Sequence, residues 1–317
     1  MTTLTEKTIL VTGATGRQGK AFISGILSEE KLAAQHPNRV TIVEGDLDSA
    51  DTIRKVFEDA KKEGRTIWGV FCVLAFPGLG ADADGEEKQG KMVADLSLEY
   101  GVSHFVFSSV ERGGEGFDAT MMGDRLAKIN IEKHVKHLGA QGLNWTILRP
   151  GFFMENYEGF IGRITFGVLK AGLKPSTTVQ IIGVKDIGLV AAGVFRDPIA
   201  FHSQILVVVA EASTMSQQEA AYKSARGRDI PSIPAVFARG LIAMNSHTKQ
   251  LIMEMERVHR VHSSPEGAEE YHLQWEAAKR AHPNMMSFEK WAQQDNVEAR
   301  GNDWNGISLG KLLRGRQ

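Results

Sequence analysis

Three glycines at a spacing of three, Gly13, Gly16 and Gly19, separate two patterned stretches near the start of the chain. "TILVT" is a short β-rich apolar run, "GATGRQG" breaks it, and "KAFISGIL" resumes at helical spacing. In a strand–turn–helix setting each glycine has a chemical use. The first permits the tight turn, the second lets backbone N–H groups approach a pyrophosphate, and the third lets helix and strand pack closely. The helix N-terminus adds partial positive charge. Thr15, Arg17 and Gln18 complete the turn, and Arg17 is the best placed cation for a phosphate. Two plainer readings stand beside these: a structural turn that binds nothing, and a solvated arginine.

A second candidate is Lys128 in "GDRLAKINIEKHVKHL", residues 123–138. It reads as a lysine on the second turn of a helix. Three roles fit it: a hydrogen-bond donor to ribose hydroxyls, a general acid–base group, or a surface partner for Asp124 four residues earlier. The last is worth only about 0.3–0.5 kcal/mol. The strand "HFVFSS" before this helix decides the emphasis, because open α/β sheets bind ligands at the carboxyl ends of their strands. Ser109 is then expected to flank the same spot as Lys128 and to hold a substrate carbonyl; the plain reading is a turn serine bonding local backbone. The chain has four tyrosines, Tyr100, Tyr157, Tyr222 and Tyr271, and none is followed by lysine four residues later. Asp124 stands where a tyrosine proton donor is usual, and an exposed aspartate does not replace that donor unless its pKa is strongly raised.

The elements that must position these groups alternate. "RVTIVEGDL" (39–47) reads as a strand, 48–64 as a helix and "TIWGVFCVLAF" (66–76) as a buried strand. Residues 76–87 read as loop, 88–100 as helix, 104–109 as strand, 121–138 as helix and 144–151 as strand. Near-continuous apolar strands between helices predict a doubly wound parallel sheet of Rossmann type, covered on both faces. After Pro150 the alternation loosens. "GFFMENYEGF" reads as a loop or short helix, 177–184 and 203–210 as strands, and "DIGLVAAGVFRDP" as a helix. A capping box from Ser216 to Glu219 opens a further helix that stops at Gly227. Helices are expected over 234–262 and 264–282, the second with Ser264 as N-cap and Pro265 at its first position. The expected division is a nucleotide-binding domain over 1–153, with 178–210 returning to it. A smaller, mostly helical lobe takes 154–177 and 211–300, and the tail 301–317 is expected to fray.

Composition narrows the function. The 317 residues are 42% hydrophobic and 24% charged with a net charge of −1, so no global field draws the chain to nucleic acid or an anionic membrane. One cysteine, Cys72, excludes an internal disulfide and fits a reducing compartment. No apolar run has the roughly 18 residues of a spanning helix, and "MTTLTEKTILVTG" lacks signal-peptide character. A cytoplasmic protein is expected, with the nucleus open to it if it is a regulator. His134 and His137 share a helix face without a third ligand, so no metal is expected. There is no P-loop and no nucleophile elbow.

The glycine turn, "VEGDLDSADTIRKVF", "HFVFSSVERGG", "AKINIEKH", "TILRPGFFMEN" and "VKDIGLVAAGVFRDP", in that order, resemble the NmrA-like family of atypical short-chain dehydrogenase/reductase relatives, fungal members most of all. The resemblance spans about residues 7 to 300. It implies an NAD(P)-binding domain, NADP with NAD as the alternative, and a C-terminal lobe over the cofactor. It also implies either of two functions: an oxidoreductase acting on a small carbonyl or enone, or a redox-sensing regulator that binds the dinucleotide and a protein partner. By resemblance Asp46 contacts the adenine side, Phe76 packs near the adenine ribose, and Phe152 belongs to the segment lining the nicotinamide pocket. The plain readings are turn chemistry for Asp46, a loop for Phe76 and core packing for the aromatics. The chain departs from the family at "ISGILSEEKLAAQHPNRVTIVEGDL", which leaves no room for a second strand after the first helix, so the sheet is expected to be shortened.

Overall fold

The computed structural model describes residues 7–27, 40–75 and 83–294. A five-stranded parallel sheet runs in the order β1 (Thr8–Val11), β2 (Ile67–Cys72), β3 (His104–Ser108), β4 (Trp145–Pro150) and β7 (Gln204–Val208). The strand period of two explains its near-continuous apolar runs. Val70 and Cys72 enter one core layer with Phe105 and Phe107. Phe71 and Val73 enter the other with Val106 and Leu148. The first layer is closed by helices α2 (Ala50–Lys62), α3 (Asp84–Glu99) and α4 (Gly123–Gly139). The second is closed by α1 (Arg17–Leu27) and α6 (Val184–Arg196), with α10 (Pro265–Ala281) against β7.

After β4 a second sheet forms from β5 (Phe152–Phe153), β6 (Thr178–Ile182) and β8 (Glu211–Thr214), with β6 at its centre. Thus β6 belongs to the small sheet, while α6 and β7 return to the large one. Helix α5 (Gly159–Gly172) packs on the small sheet's core through Phe166 and Leu169. The remaining lobe is α7 (Met215–Arg226), α8 (Ala235–Met244), α9 (Ser246–His262) and α11 (Phe288–Ala292).

Several local expectations change. Residues 40–45 form no strand. Val40, Ile42 and Val43 are exposed, Ile42 by 89%. β-branched residues make a strand only where a neighbour supplies ladder hydrogen bonds, and no described strand pairs with residues 40–45. Helix α3 begins at Asp84, not near 88, because Asp84, Glu86 and Glu87 load its first turn with the charge a helix N-terminus favours. The capping box before Gly227 is made by Thr214 and Gln217, not Ser216 and Glu219. The expected helix over 234–262 is two, because Asn245 ends α8 and caps α9. Ser264 and Pro265 start α10 as expected, and Gly227 closes α7 in the left-handed conformation. Among the described residues no helix is long and apolar enough to cross a membrane.

Candidate functional site

The glycine turn, Ser109, Lys128 and Phe152 lie on segments that follow the carboxyl ends of β1, β3 and β4. The backbone of the glycine turn is tightly constrained. Gly13 has φ +59°, and a Cβ there would lie 2.8 Å from the Val73 carbonyl oxygen. A Cβ on Gly19 would lie 2.4 Å from the Gly13 oxygen. Neither position admits a side chain without moving backbone. Gly16 N–H donates to the Gly13 carbonyl at 2.9 Å, closing the turn into α1. Gly13, Thr15 and Gly16 are exposed beside the N-terminus of α1, where the helix dipole is positive.

The turn is braced from below. The Thr12 hydroxyl donates to the Val73 carbonyl and accepts the Val73 N–H, both at 2.8 Å, which extends the β1–β2 pairing through a side chain. Gln18 Oε1 accepts the Ser108 hydroxyl at 2.7 Å, tying α1 to the end of β3. Gln18 therefore positions the turn. Arg17 reaches the lobe, where its Nη2 pairs with Glu158 Oε2 at 2.9 Å.

Lys128, on α4, pairs with Glu86 Oε1 at the start of α3. Glu86 is buried, and burial holds its carboxyl above the usual range against the pull of Lys128. Its second oxygen is buried without a hydrogen-bond partner among the described residues. Cys72 lies close enough to feel both charges. Burial pushes its thiol up to about 12, so it is not a nucleophile at neutral pH.

Ser109 is buried, and its hydroxyl donates to Glu132. It thereby joins a buried charge network that sequence patterns did not reveal. Glu132 Oε1 accepts from Arg112 Nη1 at 2.9 Å, and its Oε2 accepts from Arg149 Nη2 at 2.6 Å. Arg112 Nε also donates to Asp118 at 2.7 Å, and Arg149 Nη2 to Glu115 at 2.7 Å. Burial opposes ionisation of Glu132, but Arg149 and Arg112 overcome it and hold the carboxyl down at about 2. The network locks the loop after β3 to β4 and α4, the elements that carry Ser109 and Lys128.

On the lobe side Phe152 lies in β5, its ring 5.6 Å from that of Tyr157. Glu155 caps α6: its carboxylate oxygens accept the Val184 N–H at 3.0 and 3.1 Å. Burial outweighs those bonds and pushes Glu155 up to about 7. Glu155 lies in the segment "TILRPGFFMEN" and Glu158 just after it, but sequence reasoning gave neither a role. Asp46 takes the turn role: its side chain accepts the Asp48 N–H at 2.9 Å, and its own N–H goes to Thr52 Oγ1 at 3.0 Å. Phe76 lies outside the described residues. His134 pairs with Asp95 at 2.6 Å.

Comparison with known proteins agrees with this architecture. The model of the NmrA-like family matches residues 5–292. An NmrA-like family domain-containing protein of Dictyostelium discoideum is 24% identical over 226 residues, covering 67% of this chain and 75% of that protein. Among solved structures, NmrA, a negative transcriptional regulator in complex with NADP, superposes with a TM-score of 0.61 at 18% identity, covering 94% of this chain and 99% of that one. The Citrobacter triphenylmethane reductase complexed with NADP(H) superposes with a TM-score of 0.63 at 13% identity, covering 90% and 99%. With a family model matched over nearly its whole length and the fold to go with it, this chain belongs to the NmrA-like family.

Proposed function

We propose that the chain binds a nicotinamide dinucleotide, NADP(H) with NAD(H) as the alternative, and acts as an atypical oxidoreductase on a small carbonyl or enone. The observation that carries this is the glycine turn, whose backbone admits no Cβ at Gly13 or Gly19 and whose exposed face sits at a helix N-terminus. The amides of residues 13–19 would hold the pyrophosphate, with Arg17 beside it. When bound, the nicotinamide supplies hydride chemistry. Lys128 faces the task usually given to a tyrosine–lysine pair: it would orient ribose hydroxyls, and its positive charge would offset charge developing on a carbonyl oxygen. Phe152 would line the pocket on the lobe side. The solved structures of NmrA with NADP and of the triphenylmethane reductase with NADP(H) support the ligand, and the reductase supports the reaction class.

A second reading, a dinucleotide-sensing regulator with a protein partner, is favoured by one observation. Lys128 is already matched by a buried carboxylate, Glu86, which leaves less of its charge for a transition state. The likeness to NmrA points the same way. Incubation with NADPH and a panel of carbonyls and enones, followed by absorbance, tests the two. Turnover that falls at least about tenfold in Lys128→Ala, while NADPH still binds, supports the oxidoreductase. Binding without turnover across the panel supports the sensor.

A further inference from the structure

Arg17 is both the cation of the glycine turn and the first residue of α1, and its guanidinium pairs with the carboxylate of Glu158, the residue that precedes α5. The separation from Glu158 Oε2 is 2.9 Å, with the Arg17 side chain 31% exposed and that of Glu158 only 4%. Burial of the carboxylate matters. A fully solvated pair contributes little, whereas a partly desolvated one is poorly screened and holds its geometry. Glu158 is also fixed by its backbone: its N–H donates to the Glu155 carbonyl at 3.1 Å, and its carbonyl accepts from Gly162 at 3.0 Å as N-cap of α5. The lobe thus delivers an anion to the turn's cation from a defined position. To a guanidinium, a carboxylate and a phosphate are interchangeable in kind, each offering charged oxygens to its N–H fork.

Resting on the dinucleotide reading above, we propose that Glu158 is an internal competitor for the ligand's phosphate: it holds Arg17 in the free protein and is displaced when the phosphate arrives, so that Glu158 sets the affinity. Binding must break the Arg17–Glu158 pair before it gains the Arg17–phosphate contact. The net affinity is the difference between two charge-assisted interactions of one guanidinium. A neutral amide at 158 removes the competing charge and leaves Arg17 intact. Removal of Arg17 leaves Glu158 with nothing to withhold.

Calorimetric titration of NADP+ into the wild type, Glu158→Gln, Arg17→Ala and the double variant tests this. Glu158→Gln is expected to bind roughly tenfold tighter than the wild type. In the Arg17→Ala background the same change is expected to give no gain. If the wild type binds and Glu158→Gln binds no more tightly, the competitor is overturned and the dinucleotide reading stands. If no protein of the four binds, the dinucleotide reading falls and the competitor with it. A crystal structure of the wild type with NADP+ gives a check that needs no variant. Arg17 and Glu158 are expected beyond 4.0 Å of one another, and a retained contact at 2.9 Å with ligand in place overturns the proposal.

Discussion

Lys128 forms its ion pair with Glu86, 42 positions earlier in the chain, and not with Asp124 one helical turn away. The pair bridges α3 and α4, and Glu86 is buried. Lys128→Ala should therefore destabilise by about 3 kcal/mol at pH 8, since it leaves a buried carboxylate without its cation. The sign of the pH dependence follows from Glu86. Its folded carboxyl lies above the ordinary range, so protonation favours the fold, and stability present at low pH is lost as pH rises. The variant should regain stability in urea melts as pH is lowered from 8 to 5, and Lys128→Met with Glu86→Gln should recover much of the loss. A loss under about 0.5 kcal/mol at pH 8 would show that the pair is only a surface contact.

The Glu132 network sets the acid limb of stability. Its carboxyl is held at about 2 by Arg149 and Arg112 in spite of burial. A depressed folded value contributes stability above the unfolded carboxyl range, near 4.5, and loses it as pH falls toward 2. The contribution is on the order of 3 kcal/mol. Glu132→Gln should flatten the fall between pH 4.5 and 2 and cost about 3–5 kcal/mol at pH 7, because two buried guanidiniums lose their shared acceptor. Urea unfolding across that range measures both, and an unchanged acid limb in the variant would remove Glu132 as its source.

Glu155 should act in the opposite sense. Burial raises it to about 7, so the folded state prefers the protonated acid. Stability from this residue is present below about 4.5 and is lost as pH rises through about 7. Glu155→Gln keeps an acceptor for the Val184 N–H and removes the charge. It should gain up to roughly 3 kcal/mol at pH 8 and nothing at pH 4. Thermal melts at the two pH values decide it; an equal shift at both would mean that Glu155 does not titrate in this range.

What the sequence disclosed and what it hid have one physical cause. The glycine turn was legible because its requirement is local: Gly13 and Gly19 are forced by backbone atoms within a few residues or on the next strand. The parallel sheet was legible because its inner strands β2, β3 and β4 are buried almost throughout on both faces. Residues 40–45 misled because valine and isoleucine express strand preference only beside a partner, and no described strand pairs with them. Helix α5 was overlooked because Gly159, Gly162, Gly167 and Gly172 weaken its helical signal; tertiary packing overrides their propensity. Lys128–Glu86, Ser109–Glu132 and Arg17–Glu158 join residues 42, 23 and 141 positions apart, and no periodicity records such pairs. The partners of these charged groups therefore emerged only from the fold.

The most direct measurement is titration with NADPH, followed by its fluorescence, of the wild type and Gly19→Ala. If the glycine turn holds the dinucleotide, saturable binding to the wild type at one ligand per chain is expected. A Cβ at position 19, driven to 2.4 Å from the Gly13 oxygen, should weaken that binding at least about tenfold in a variant that still folds. Equal binding by the two proteins, or no binding by either, would contradict it.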